Sequence, residues 1–315
     1  MSSASSTTEN TRKPRTTFIT ALYALTETYL RVGKRQDALH LLNANRDFLE
    51  GDTREHAEFL LNYGRVLTAD AMSTNRTLDQ VNSLLLQAKS LAEQSADEYL
   101  LADILDALGE VYYVKGHKVS AEEGDYEKGL VYFQQALALR EKLHDEYGLS
   151  RSSLNVGRMQ QNLEQLEAAR AAIERAYERA IRQQRVDVQA EALQHLASLN
   201  TDSDAALQQV AEVIALREQA GLRGVLVHSY LMRAELYHAQ GNLTKAREYY
   251  QQCMSVAEET AQPQSTVSSL LGLGYIHLDS GEKQEARAYF EQALALAQSI
   301  GLKTGIQEAA EALQA

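Results

Sequence analysis

The sequence has no tryptophan, one cysteine and two prolines in 315 residues. Because proline is the most costly residue inside a helix, its scarcity favours a nearly all-helical protein. The single cysteine, Cys253, excludes a disulfide within the chain and is compatible with a reducing compartment. Cys253 occupies a position where small residues recur, which predicts a packed side chain rather than a reactive thiol.

Positive charge is also in short supply. The chain has 31 lysines and arginines against 43 acidic residues, and its net charge is -12. No cluster of basic residues approaches the density of a nucleic-acid-binding surface, so neither DNA nor RNA is expected as a partner. No apolar run is long enough to span a membrane, and the N-terminus lacks the apolar core of a signal peptide. We therefore expect a cytoplasmic protein without a membrane partner.

Common enzyme motifs are absent too. The sequence contains no H-E-x-x-H, no G-x-x-x-x-G-K-[ST] phosphate loop and no G-x-S-x-G elbow. No two of its eight histidines are four residues apart, so no such pair can hold a metal from one helix face. Carboxylates are plentiful, as expected on solvated helices. We expect a protein that is not an enzyme and carries no cofactor or metal.

What the sequence does contain is an internal repeat between residues 228 and 301. Two copies of one pattern place a large, a small and an aromatic residue before a glycine, and then a small, an aromatic and a small residue. The first copy consists of Tyr230, Ala234, Tyr237, Gly241, Ala246, Tyr250 and Cys253, and the second consists of Leu270, Gly274, His277, Gly281, Ala286, Phe290 and Ala293. Each residue of the first copy lies forty residues before its counterpart.

This pattern resembles the tetratricopeptide repeat, in which W-x2-L-G-x2-Y on helix A is followed by A-x3-F-x2-A on helix B. Tyr230 and Leu270 occupy the position of the tryptophan. The repeats are longer than usual for that family, a style that resembles the repeats of kinesin light chains and of the arrays attached to bacterial signalling regulators. The phrase ALALREKLHDEYGLSRSSLNVGR at 136–158 is especially similar to the latter group.

The resemblance implies an all-α, right-handed superhelical solenoid of about seven helix-turn-helix repeats. We predict a repeat array over 17–301. Its repeats are expected at about 18–50, 54–95, 98–144, 147–183, 187–220, 224–260 and 264–301. The second repeat has lost the glycine of its turn, which we expect over 68–77. The third carries an insertion near 113–123, expected to be a loop.

The two ends of the chain differ in character. Residues 1–16 are rich in serine and threonine and nearly free of apolar side chains, which predicts a disordered tail. Within 302–315, Ile306, Ala309 and Leu313 fall on one side of a helix. We expect this amphipathic helix to cap the apolar end of the stack.

The resemblance also places a binding surface on the chain, because helices A line the concave groove of tetratricopeptide arrays. Carrying the groove-facing positions over to this sequence gives the candidates Tyr23, Asn62, Arg65, Asp103, Asp106, Glu110, Tyr113, Arg151, Asn155, Arg158, His195, Leu231, Glu235 and Tyr275. A slip of one residue would rotate this face by roughly 100°.

Two features of these candidates suggest how a partner would be held. Asn62 and Asn155 each stand two residues before a helix A glycine, where long-repeat relatives use an asparagine to bond the backbone of an extended peptide. The alternative is simple polar exposure. The basic and acidic candidates also alternate along the array. They either orient a partner of mixed charge or neutralise one another between neighbouring repeats.

We therefore expect a non-enzymatic interaction scaffold whose groove binds an extended peptide or a helix of a protein partner. A chaperone-binding carboxylate clamp is disfavoured, because the required lysine and asparagine positions are not filled by those residues. The alternative is a regulatory sensor of a peptide or small ligand that acts on an effector in trans. An enzyme would need a site on the groove rim, around His195, His228 and His238.

Overall fold

The computed structural model describes residues 4–49, 51–73, 77–117 and 124–314, with side chains described from residue 15 onward except at 72–73. These residues contain sixteen helices and no strand. The helices are α1 (Ala4–Arg31), α2 (Arg35–Ala44), α3 (Arg46–Leu49), α4 (Thr53–Ser73), α5 (Asp79–Gln94), α6 (Glu98–Gly116), α7 (Asp125–Lys142), α8 (Glu146–Asn162), α9 (Leu166–Arg182), α10 (Val186–Ser198), α11 (Ser203–Gln219), α12 (Arg223–Ala239), α13 (Leu243–Glu259), α14 (Pro263–Asp279), α15 (Lys283–Ile300) and α16 (Lys303–Ala312).

The helices form seven helix-turn-helix pairs followed by a final helix, which confirms the predicted all-α, right-handed solenoid. Each helix of these pairs packs on the next one in the array, and the first helices of neighbouring pairs also touch in most of the array. Each predicted repeat range overlaps one pair, and the first also contains the short α3. None of the helices in the described part of the chain is long and apolar enough to cross a membrane.

Large side chains on the second helix of a pair pack against small residues on the first helix. A Cβ atom added at Gly109 of α6 would lie 2.6 Å from the ring of Phe133 on α7, whose side chain is fully buried. Gly274 of α14 makes the same close approach to Phe290 on α15. Burying one such side chain stabilises the fold by roughly 1.5–3 kcal/mol. The small and aromatic positions of the repeat pattern are therefore the two sides of one packing contact.

The turns between helices use the left-handed backbone region. Gly241 has a φ of 73° and Gly281 a φ of 79°, as the glycine stops of the pattern predict. Other turns reach the same region without glycine, for example at His144 and Glu164, with φ of 52° and 59°. The turn geometry is therefore shared along the array even where the glycine signal is missing.

The structure corrects the turn predicted in the second repeat and describes only part of the insertion predicted in the third. The turn predicted over 68–77 is shorter, because α4 continues to Ser73 and buries the side chains of Thr68 and Asp70. The Thr68 hydroxyl donates to the Gly64 carbonyl at 2.9 Å inside that helix. Of the insertion, residues 118–123 lie outside the described residues, and α6 continues to Gly116.

A helix lies near each end of the described chain. Helix α1 begins at Ala4, inside the segment predicted to be a disordered tail, but the side chains of residues 1–14 lie outside the description. The disorder of 1–16 in solution stays a prediction. At the other end, α16 buries Ala309 completely and packs Ile306 and Leu313 against the last core cluster, which confirms the capping helix.

The array turns back far enough for its first repeat to meet its sixth. A Cβ atom at Gly224, in the first turn of α12, would lie 3.0 Å from the Arg31 carbonyl oxygen. The Gln262 side chain supports this contact by donating to the Gly224 carbonyl and to the Thr260 hydroxyl, both at 2.8 Å. The concave surface therefore faces a central space that repeats one to six surround.

Candidate functional site

A buried guanidinium on α7 organises the centre of the array. Arg140 donates to the carboxylates of Asp103 at 2.6 Å, Asp106 at 3.1 Å and Asp145 at 2.5 Å. It also donates to the hydroxyl of Ser152 at 3.0 Å. Asp103 and Asp106 lie on α6, and Asp145 caps the N-terminus of α8. Arg140 therefore ties together the first helices of the third and fourth repeats.

Asp106 is a structural carboxylate rather than an accessible one. Its side chain accepts from Ser152 at 2.9 Å and from Asn155 at 3.2 Å as well as from Arg140. Only 7% of Asp106 and 5% of Asn155 are exposed. The Asn155 amide oxygen in turn accepts from Arg158 at 3.4 Å. A peptide backbone would have to replace one of these bonds to be read by Asn155, so that role stays a prediction.

Arg158 continues the network along the inner face of the array. Its guanidinium lies 3.4 Å from the Glu110 carboxylate, 3.1 Å from the Glu191 carboxylate and 4.0 Å above the centre of the Tyr113 ring. The Nε atom of Arg158 is buried without a hydrogen-bond partner in the part of the chain that the structure describes. Arg158 is therefore held by charge and stacking, with one donor unused.

The next arginine along the array, Arg151, reaches two carboxylates of α10. It bonds Asp187 at 2.8 Å and also donates to Glu191. Burial by itself would raise the pKa of Glu191, but the positive charges of Arg151 and Arg158 hold that pKa well below its usual range. The outermost candidate of the alternation, Arg65, lies 3.7 Å from Asp103. The alternating charges of the sequence thus pair between neighbouring repeats.

Beside this network lies a second polar cluster, centred on Arg217 of α11. Arg217 is 4% exposed and donates to the Gln194 side chain, to the Ser229 hydroxyl at 2.5 Å and to the Val225 carbonyl at 3.2 Å. His195, next to Gln194, has its Nδ1 atom 2.9 Å from the Gln161 amide oxygen. Burial and the positive charges of Arg158 and Arg217 lower the pKa of His195 to about 3, so its imidazole is neutral at physiological pH.

Five of the predicted residues lie apart from both clusters. Tyr23 has a buried hydroxyl, without a hydrogen-bond partner among the described residues, and Asn62 donates to the Glu58 carbonyl of its own helix at 2.8 Å. Leu231 packs into the core, Glu235 is exposed on α12, and Tyr275 meets Phe290 edge-on with ring centres 5.1 Å apart.

The sequence reasoning missed Arg140, Asp187, Glu191 and Arg217. Two of these, Arg140 and Arg217, lie in the last turn of a helix B, whereas the register considered only helices A. A signal for them exists, because each arginine precedes by twelve residues a serine of the next helix A to which it donates. No group of three or more His, Cys, Asp or Glu side chains in the described residues is arranged to hold a metal ion.

A family model described as tetratricopeptide repeat matches residues 226–299, the same part of the chain in which the internal repeat is clearest. No curated protein sequence matches the chain. The matched residues cover nearly all of the sixth and seventh repeats.

Solved structures similar to this chain share little sequence with it. The chain is similar to a Rap protein complexed with competence and sporulation factor, with a TM-score of 0.70 and 13% identity, covering 92% of this chain and 80% of the other. It is also similar to NprR in complex with its cognate peptide NprX, with a TM-score of 0.59, 13% identity and the same two coverages.

A third similar structure is the signal transduction ATPase PH0952 from Pyrococcus horikoshii, which has a tetratricopeptide repeat sensor. Its TM-score is 0.56 at 14% identity, and the match covers 93% of this chain and 44% of that one. Likenesses at these identities show the fold alone. Together with the matched repeat and the seven helix pairs, they show that the chain has a tetratricopeptide-repeat fold.

Proposed function

We propose that this protein binds an extended peptide or a single helix of a partner protein in its concave groove and catalyses no reaction itself. The observation that carries the proposal is the course of the array, whose first repeat meets its sixth and so surrounds a central space. Concave surfaces of stacked repeats are suited to extended ligands, because successive helices A present side chains along one line.

The polar groups of that wall are of two kinds, buried groups that bond one another and more exposed groups. Asp106, Asn155 and Arg140 bond one another and hold helices α6, α7 and α8 in register. Such fixed groups lower the entropy cost of binding, because the wall is already ordered before a ligand arrives. Asn62 is half-buried and Arg65 is exposed on α4, where they are available to a peptide backbone and to its charged side chains.

A second candidate function is a peptide-responsive sensor that acts on an effector in trans. The similar Rap protein and NprR structures are complexes with competence and sporulation factor and with the peptide NprX. In a sensor of this kind, the contact between the first and sixth repeats would be the element that opens and closes. A peptide that binds the two arrangements with different affinity would shift the equilibrium between them.

Affinity selection from a pool of short random-sequence synthetic peptides tests the proposal. Peptides that stay with the protein through size-exclusion chromatography are identified by mass spectrometry, and their dissociation constants are measured. We expect binding to wild type and to a Glu174→Lys control on the exposed face of α9, and weaker binding to an Asn62→Ala, Arg65→Ala variant. No retained peptide with wild type, or equal affinity for both variants, would contradict the groove assignment.

The same peptides separate the two candidates. A scaffold keeps its radius of gyration in small-angle X-ray scattering when the peptide is added, whereas a sensor changes it. Charge reversal at Asp106 is unsuitable for either test, because that carboxylate is buried against Arg140 and its reversal would unfold the array.

A further inference from the structure

The arginine cluster at Arg217 repeats the geometry of the one at Arg140. Both arginines lie in the last turn of a helix B and donate to a serine twelve residues further on, Ser229 and Ser152 respectively. Both also donate to the side chain at the same position of a helix A, which is Gln194 on α10 and Asp106 on α6. The two clusters are therefore equivalent sites in different repeats.

The two sites differ in charge. Arg140 is neutralised by three carboxylates. At the second site the amide of Gln194 replaces the carboxylate of Asp106, and Leu222 stands at the N-cap of α12 where Asp145 caps α8. None of the ion pairs formed within the described ranges includes Arg217, although this residue is only 4% exposed.

Such a buried, unneutralised guanidinium is costly, since a charge removed from water is normally paired. Burial lowers the pKa of Arg217 to about 10, and the acidic group that counteracts this is Glu191. That carboxylate is already bonded to Arg151 and lies 3.1 Å from Arg158. Arg151 has a further carboxylate partner in Asp187 and Arg158 has one in Glu110, whereas Arg217 has no carboxylate partner of its own among the described residues.

Among the neighbours of Arg217, Gln194 is half-buried and Ser229 is fully buried. His228 lies on α12 directly before Ser229, and its side chain is exposed. The positive charges of Arg217 and of Arg35, which belongs to α2, both act on the His228 ring, so the first repeat adds a cation to this region across the closure. An anion that reaches Arg217 therefore finds the positive charges of Arg217 and Arg35, the half-buried Gln194 amide and the buried Ser229 hydroxyl.

We propose that Arg217, Ser229 and Gln194 bind a carboxylate of the peptide that occupies the groove. This inference rests on the proposed function. A carboxylate supplies the negative charge that Asp106 supplies at the equivalent site, and it accepts charge-assisted hydrogen bonds from the guanidinium and a bond from the hydroxyl. The carboxylate belongs either to the C-terminus of the peptide or to an aspartate or glutamate side chain.

Two variants test the site from opposite directions. Arg217→Met removes the positive charge, and Gln194→Glu supplies the missing carboxylate from within the protein. Arg179→Met is the matched control, because Arg179 is also a helix B arginine that donates to a serine, Ser153 at 3.0 Å, but it is half-exposed.

The first measurement needs no peptide. Thermal unfolding is followed in sodium acetate and in sodium chloride at equal ionic strength. We expect acetate to raise the midpoint relative to chloride in wild type and Arg179→Met, and this difference to disappear in Arg217→Met and Gln194→Glu. An equal acetate effect in all four proteins would overturn the proposal.

The second measurement uses the selected peptides as free acids and as matched amides. One set is amidated at the C-terminus, and the other has asparagine or glutamine in place of aspartate or glutamate. We expect one of the two changes to weaken binding to wild type by about tenfold, the value of one charge-assisted bond, and to have no effect on the two site variants. Whichever change weakens binding identifies the source of the carboxylate.

These experiments distinguish a failure of the proposed peptide-binding function from a failure of the carboxylate site. If no peptide binds wild type, the proposed function fails and the acetate comparison alone decides the anion site. If peptides bind but neither amide substitution weakens them, the groove function stands and the carboxylate site is wrong.

Discussion

Gly33 lies against Thr260, and a Cβ atom at position 33 would come within 2.8 Å of the Thr260 Cβ atom. The two residues belong to the turn of the first repeat and to the end of α13, so their contact closes the array. Gly33 has a φ of 81°, and Gly241, its counterpart in the sixth repeat, has a φ of 73° with nothing within 4 Å of its Cβ position. Alanine substitutions at Gly33 and Gly241 therefore separate two costs. Both variants strain the backbone, but only the variant at Gly33 disturbs the contact between the first and sixth repeats.

We expect Gly241→Ala to cost about 1 kcal/mol of unfolding free energy, because alanine is strained at positive φ. Gly33→Ala adds a steric clash with Thr260 and should cost more. It should also increase the radius of gyration in small-angle X-ray scattering, which Gly241→Ala leaves unchanged. Equal costs together with equal radii would show that the contact does not hold the ends of the array together.

The equivalent arginines predict opposite responses to the same substitution. Arg140→Met leaves the buried Asp106 without a cation and should lose on the order of 3–5 kcal/mol in urea unfolding. Arg217→Met removes a charge that no described carboxylate pairs with, so its loss should be under about 1 kcal/mol, or become a gain. Similar losses in the two variants would mean that Arg217 is neutralised in a way the ion pairs do not reveal.

The neutral His195 predicts a loss of stability in mild acid. Its pKa is lowered from 6.5 to about 3 by burial and by the charges of Arg158 and Arg217, so only the unfolded chain takes up its proton as the pH falls below about 6.5. His195→Gln should therefore lose less unfolding free energy than wild type between pH 7 and pH 5, by about 2 kcal/mol.

Glu191 does not contribute to this change between pH 7 and pH 5. Because its pKa is lowered, the stabilisation that its charge provides is lost only at lower pH. The exposed His40 provides the control substitution, His40→Gln, which should follow the wild-type curve. If His195→Gln also follows the wild-type curve, His195 is not held neutral by its surroundings.

The two asparagines singled out by the sequence should behave differently. Asn155 is 5% exposed and donates to the buried Asp106, so Asn155→Ala should cost about 1–3 kcal/mol in chemical denaturation. Asn62 donates within its own helix, and Asn62→Ala should change the unfolding free energy by about 0.5 kcal/mol or less. A large loss for Asn62→Ala with none for Asn155→Ala would contradict the network described at Asp106.

Much of the fold could be read from residues that pack within one repeat. Gly109 with Phe133 and Gly274 with Phe290 are small and large partners of one local contact, and their spacing is set by helix periodicity. The left-handed turns were predictable where glycine marks them, as at Gly281. They were not predictable at His144, where the packing of the flanking helices imposes a conformation that the residue itself disfavours.

The candidate site was predictable only in part. The register over helices A named Asp103, Asp106 and Arg158, which the structure places in one network. It missed Arg140 and Arg217, because a long side chain at the end of a helix B reaches across the boundary between repeats. The spacing of residues within one helix does not indicate such contacts between neighbouring repeats.

The helices, the small-to-large packing inside each pair and the capping helix all follow from the sequence alone, because they depend on residues a few turns apart. Only the tertiary structure decided the course of the array, since small rotations between repeats accumulate until Gly33 meets Thr260. It also decided which charges are neutralised. Arg140 and Arg217 both stand in the last turn of a helix B, twelve residues before a serine, yet the folded chain brings Asp103 and Asp106 to the first and pairs none of the described carboxylates with the second.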